Sequence, residues 1–263
     1  VERPDDPEDR ARHVAERLAE LRARVARAAA AAGRPASAVR VLLASKTTDA
    51  ATVRAALAAD AAARAAGSGT APVLLGENRV QELVAKAPLL TDLFPTWHVI
   101  GPLQSNKVNA ALRWAHAVES VADDALAQRL SDRVRERAVP LDLWVQVNVS
   151  AEASKHGARP VDARALAVRV AALPGLRLAG FMTVGANSPD PAVVRAGYAL
   201  LRAVRDDVVA SGAPGTGDAQ GLSMGMSRDL EEAVAEGATV VRVGTAVFGD
   251  RPPATATGSA PAR

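Results

Sequence analysis

The sequence predicts an α/β fold, a (β/α)8 TIM barrel with an extra N-terminal helix. Three observations carry that reading. From residue 39 onward apolar runs alternate with helical patterns, eight such runs can be counted, and they are near-continuously apolar, as strands covered on both faces are. Eight strand–helix units in a chain of 263 residues fit a closed barrel. A doubly wound open sheet is the runner-up, but no GxGxxG follows a strand and no GxxxxGK precedes a Ser or Thr. The division is then 1–38 for the added helix, packed on the barrel, 39–250 for the barrel, and 251–263 for a disordered tail.

Residues 6–32 form one amphipathic helix in which Val14, Leu18, Leu21 and Val25 make an apolar stripe; Gly33 and Pro35 stop it. The strands are 39–45, 73–76, 97–101, 117–120, 141–149, 177–184, 221–224 and 240–244. Helices lie between them, among others at 79–90, 123–137, 161–172, 191–211 and 228–236. The last has Ser227 as expected N-cap, Asp229, Glu231 and Glu232 in its first turns, and Gly237 as its stop. Residues 58–71, "AADAAARAAGSGTA", read as a helix end running into a flexible loop, and "RPPATATGSAPAR" has the composition of a disordered tail.

Composition excludes several functions. No apolar run approaches the roughly 18 residues of a membrane span, and "VERPDDPEDR" has no signal-peptide core, so a cytoplasmic protein is expected. Absence of cysteine rules out disulfides, thiolate nucleophiles and cysteine-held metals. His13, His98, His116 and His156 have no HExxH spacing, and no metal is expected; His98 and His156 read as satisfied polar residues. A net charge of +3 and three Trp, one Tyr and three Phe argue against a nucleic-acid partner. No apolar stripe beyond that of the first helix asks for a partner, so a monomer is expected.

In a barrel, chemistry gathers at the C-terminal ends of the strands. Those ends read "SKTT", "GENRVQE", "HVIGPLQSNK", "VES", "VNVSAEASKHG", "MTVGA", "SMGMS" and "RVGT", and polar residues and glycines concentrate there. The chain has only four lysines, Lys46, Lys86, Lys107 and Lys155, against many arginines, which suggests that Lys persists where a primary amine matters. Lys86, four residues after Glu82 on a helical pattern, reads as an ordinary surface pair. Lys46 ends the apolar run "VRVLLASKTT" and would point into the mouth. The loops after the seventh and eighth strands form a frequent phosphate site in barrels: here Ser223, Met224, Gly225, Met226 and Ser227, with Gly244 and Thr245. An amine opposite a phosphate cradle suits a phosphorylated aldehyde or ketone, and pyridoxal 5'-phosphate (PLP) and a sugar phosphate both qualify. Arg242, on the same strand face as Gly244, favours PLP, since a guanidinium would keep a pyridine nitrogen unprotonated.

Together "LLASKTT", "LGENRVQE", "WHVIGPLQSNK", "VNVSAEASKHG", "LAGFMTVGA" and "GLSMGMSRDLEEAVAEGATVVRVGTAVFG" resemble the pyridoxal phosphate homeostasis protein family, in the family's order over residues 39–249. The resemblance implies a barrel of the alanine racemase N-terminal type that binds PLP covalently and has no established turnover. It implies Lys46 as the Schiff-base lysine, Arg242 as partner of the pyridine nitrogen, and the loops of Ser223–Ser227 and Gly244–Thr245 as the phosphate site. Asn78 resembles a cofactor-facing asparagine, although as a residue it could equally cap the helix beginning at Arg79; Lys107 and Lys155 match motifs without a clear role. Leu75 and Arg79 stand where the family usually has aromatics, so packing at the cofactor edge is expected to differ, whereas Asp49 after "SKTT", where "SKTKP" is commoner, touches the turn and not the amine.

Two functions follow: a PLP carrier or regulator that passes the cofactor transiently to apo-enzymes, or a PLP-dependent racemase-like enzyme. Racemisation in this barrel type uses a tyrosine opposite the lysine, and Tyr198 lies in a helix that reads as outer ring. An aldolase-like barrel acting on sugar phosphates would use Glu77 or Glu119 as acid or base but gives Arg242 no place. The carrier or regulator is the expected function.

Overall fold

The computed structural model describes residues 6–152 and 154–249; the expected tail at 251–263 lies outside the described residues. The chain opens with helix α1 (Pro7–Ala31), then follows β1 (Arg40–Ala44), α2 (Ala50–Ala65), β2 (Leu74–Glu77), α3 (Val80–Lys86), β3 (Trp97–Val99), α4 (Val108–Leu112) and β4 (Ala115–Val121). It continues through α5 (Asp124–Val134), β5 (Leu141–Gln146), α6 (Pro160–Ala171), β6 (Leu176–Met182), α7 (Pro191–Ala210), β7 (Gly221–Ser223), α8 (Leu230–Ala235), β8 (Val240–Val243) and α9 (Thr245–Phe248). The eight strands pair in sequential order, all parallel, and β8 closes on β1. The (β/α)8 barrel expected from the sequence is therefore the fold.

Strand alternation sorts the apolar residues into two cores. Leu42, Leu74, Ala117, Trp144, Met182 and Val240 fill the barrel. Their strand neighbours, such as Val41, Leu43, Leu75 and Val118, face the helices in a second, larger core. Inside the barrel space is tight: a Cβ on Gly221 would stand 2.3 Å from the ring of Trp144, and one on Gly180 would stand 2.2 Å from the Gly221 carbonyl.

Aspartates start the helices. Asp6 accepts from the N–H groups of Glu8 and Asp9, Asp49 from Thr52, Asp123 from Leu126 and Asp190 from Ala192. Asp49 thus has a task of its own where the family motif usually differs: it caps α2. The stripe of α1, Val14, Leu18, Leu21 and Val25, is buried, and the helix packs on α2, α8 and α9. Arg24 forks onto Glu231 and donates to the Ser227 carbonyl at 2.7 Å, Arg34 donates to the carbonyls of Val234 and Ala238, and Arg22 pairs with the buried Asp60 of α2.

Some expected boundaries move. The helix expected at 228–236 begins at Leu230 with Asp229 in the cap position, and Ser227 lies in the preceding turn. The strand expected over 141–149 ends at Gln146, after which Val147 makes only an isolated bridge to Ala158. The short α4 has too few apolar repeats to register as a period. Among the described residues no helix is long and apolar enough to cross a membrane.

Candidate functional site

The inward faces of the strands rise from an apolar layer to a polar one. Above Leu42 and Leu74 stand Ala44 and Gly76; above Ala117, Trp144 and Val240 stand Glu119, Gln146 and Arg242, flanked by His98 and Ser223. Arg242 lies level with Leu42 across the β8–β1 seam. Lys46 continues the inward series 42, 44, 46 just past the end of β1, half-buried at the rim. Asn78 continues the series 74, 76, 78 past β2 and is exposed there. Position N-cap of α3 belongs to Arg79, with no side-chain capping bond, so capping of that helix does not explain Asn78.

Arg242 is 6% exposed and its guanidinium is held on two sides, donating at 2.8 Å to the Ser223 hydroxyl and at 2.7 Å to the Thr183 carbonyl. Ser223 in turn donates to Glu119 at 2.6 Å, and His98 Nδ1 lies 2.6 Å from the other Glu119 oxygen. Burial alone would raise the Glu119 carboxyl, but the His98 hydrogen bond and charge, with Arg242 and Ser223, outweigh it and hold the carboxyl below its ordinary value. A buried anion thus sits beneath the arginine. Ser223, expected in the phosphate loop, has its hydroxyl in this inner network, between Arg242 and Glu119. The expectation that His98 is a satisfied polar residue agrees with its bond to Glu119.

The loop after β7 is drawn toward the protein. Met224 N–H donates to the Val240 carbonyl, Gly225 accepts from Arg242 N–H, and Met226 N–H donates to Asp229 at 2.6 Å. The Met224 side chain is buried in the outer core, whereas Met226 is exposed. Gly225 has φ +89, and a Cβ there would stand 2.4 Å from Ala233 Cβ, so glycine is required for the turn and for packing on α8. Ser227 is half-buried in the following turn, and Gly244 and Thr245 open α9, where the first N–H groups have no partner within the helix.

Tyr198 lies on α7, a helix of the outer ring as expected. It is fully buried, donates at 2.7 Å to Asp229, and burial together with that carboxylate pushes its hydroxyl up. Asp229 thereby ties α7 to the 224–227 loop. Lys155 donates to Glu152 and to the Gly185 carbonyl, joining the ends of β5 and β6.

Lys86 departs most from expectation. Far from a surface pair, it is 8% exposed behind β1 and β2, with Nζ 2.6 Å from Glu77, 2.6 Å from the Ser45 carbonyl and 3.2 Å from Glu82. Glu77 is buried, and desolvation raises its carboxyl against the pull of Lys86 and Ser45. The i,i+4 spacing to Glu82 was visible in the sequence; the longer-range partners were not. Leu75, which replaces an aromatic of the motif, faces the outer core and not the mouth.

The family model for the alanine racemase N-terminal domain matches residues 16–252. The pyridoxal phosphate homeostasis protein of Pseudomonas aeruginosa is 43% identical over 241 residues, covering 90% of this chain and 96% of that protein. The protein of the same name from Escherichia coli K12 is 37% identical over 246 residues, covering 90% and 97%. Among solved structures, PipY of Synechococcus elongatus PCC7942 with PLP bound has a TM-score of 0.74 at 36% identity, covering 90% of this chain and 100% of that one. Alanine racemase of Corynebacterium glutamicum, at 14% identity and a TM-score of 0.65, covers 93% of this chain and 63% of its own, and shares the fold.

Proposed function

The chain belongs to the pyridoxal phosphate homeostasis protein family, and on that premise we propose that it binds PLP at the barrel mouth as a Schiff base on Lys46, as a carrier or regulator of the cofactor. The observation that carries the reading is the donor set: a primary amine at the rim of β1, and on the adjacent strand a buried guanidinium held over an anion. When bound, the cofactor supplies an aldehyde with which an amine condenses, forming a C=N bond and releasing one water. Two of the five N–H donors of Arg242 are used by Ser223 and Thr183, and a permanently protonated group there leaves a ring nitrogen as an acceptor. Ser227, Gly244 and Thr245, beside the 224–226 backbone, would receive the phosphate, and Asn78 stands at the same rim.

The buried state of Tyr198 supports the carrier over the racemase-like reading. Its hydroxyl is committed to Asp229, so this chain offers no tyrosine as a second acid at the mouth. A cofactor held without a partner acid is stored and released more readily than it is used. Transient contact with apo-enzymes, a monomeric state and a cytoplasmic location complete the proposal.

Adding PLP is expected to give an absorbance band near roughly 420 nm, and borohydride reduction followed by peptide mapping is expected to place the label on Lys46. Label on another residue, or none, overturns the covalent reading. Turnover of D- or L-alanine above about 1 per second would favour the racemase instead.

A further inference from the structure

The cofactor reading gives Lys86 no task, yet its contacts converge on Lys46. Its ammonium binds the carbonyl of Ser45, the residue before Lys46. Ser45 also donates its hydroxyl to Glu77 Oε1 at 2.7 Å, the same oxygen that receives Lys86. Glu82, a third partner of Lys86, accepts the N–H of Thr47, the residue after Lys46, at 2.7 Å. Both chain neighbours of Lys46 are therefore gripped by one cluster.

The grip acts on a strained turn. Thr48 N–H closes back on the Ser45 carbonyl at 3.0 Å, which makes Lys46 and Thr47 the central residues of a four-residue turn. Thr47 has φ +60, a left-handed conformation that β-branched residues avoid and glycine would accept freely. Such a conformation is costly for this residue type and persists when its surroundings over-determine it. Glu77 keeps its second carboxylate oxygen buried without a partner, a further cost that a surface pair would avoid.

We propose that Lys86, with Glu77 and Glu82, is a positioning cluster: it sets the backbone of residues 45–47 and so the place from which the Lys46 amine reaches toward Arg242. The proposal rests on the reading that Lys46 takes up PLP. Because the cluster acts through Lys46 alone, its removal weakens covalent capture and leaves noncovalent binding of the cofactor untouched.

Glu82→Ala deletes the acceptor of Thr47 at a half-buried helical position, and Lys86→Met deletes the buried cation. Each is made with Lys46 present and in a Lys46→Ala background. With Lys46 present, the rate of borohydride-fixable PLP uptake is expected to fall about tenfold or more, as for a displaced reacting group. In the Lys46→Ala background the PLP affinity measured by calorimetry is expected to stay within about twofold, the scatter of uncoupled sites. Equal losses in both backgrounds, or none in either, overturn the proposal. Should Lys86→Met not fold, Glu82→Ala decides by the same comparison. Unaltered protein separates the two claims: no label on Lys46 there sinks the covalent reading, whereas label at an unchanged rate in the variants sinks the cluster alone.

Discussion

Glu119 carries its charge at a depth where charge is expensive, and three neighbours compensate it. Its carboxyl is held below the ordinary value, so in the range beneath about pH 4.3 the unfolded chain binds more protons than the folded one. That stability is present above the ordinary glutamate value and is lost as pH falls through the folded one. Glu119→Gln is therefore expected to destabilise the protein near neutrality by on the order of 3 kcal/mol, leaving Arg242 and His98 beside a neutral amide. The gap to the unaltered protein is expected to narrow as pH falls below the ordinary glutamate range, as read from urea unfolding at a series of acidic pH values. A constant gap would show that packing, not charge, is what Glu119 contributes.

At the scale of elements, the turn from β7 into α8 is held at several points. Gly225 combines a left-handed backbone with a 2.4 Å approach to Ala233, and Met226 N–H and Tyr198 both hang on Asp229. Gly225→Ala is expected to cost about 1–3 kcal/mol, because strain and overpacking act together. The same change is expected to weaken PLP more than pyridoxal, which lacks the phosphate, in parallel binding titrations. Equal weakening of both would remove the loop from the phosphate site. By contrast the helix starts are robust and local: four aspartates, each before its helix, cap α1, α2, α5 and α7.

For the whole molecule, closure of the barrel and the seat of α1 are linked. Arg24 and Arg34 bind backbone carbonyls between Ser227 and Ala238, the stretch that leads from β7 to β8, while Leu18 and Leu21 seal the helix against the barrel's outer core. Leu18→Ala is expected to cost about 2–5 kcal/mol by removing a fully packed side chain. It is expected to shift one cooperative transition, with far-UV circular dichroism and tryptophan fluorescence still coincident. An early separate transition would mean that α1 is an independent appendage.

Much of this was legible from residue order. Near-continuous apolar runs at eight places announce strands that are covered on both faces, and the positions of Lys46 and Arg242 at or near strand ends follow from counting along those runs. Lysine scarcity marked Lys46 because it is a local signal, a residue type out of proportion at a strand end. What order along the chain could not supply is contact between distant side chains. Lys86 looks like a surface partner of Glu82 until β2 brings Glu77 beneath it, and nothing along the chain announces that Tyr198, on the outer-ring helix α7, bonds Asp229. Ser223 likewise reads as a loop hydroxyl until the barrel closes and Glu119, on a strand about halfway round, receives it. Periodicity is set by neighbours a few residues apart and survives in the sequence; burial of a charge depends on which far segments meet it, and that is settled by the closing of the sheet.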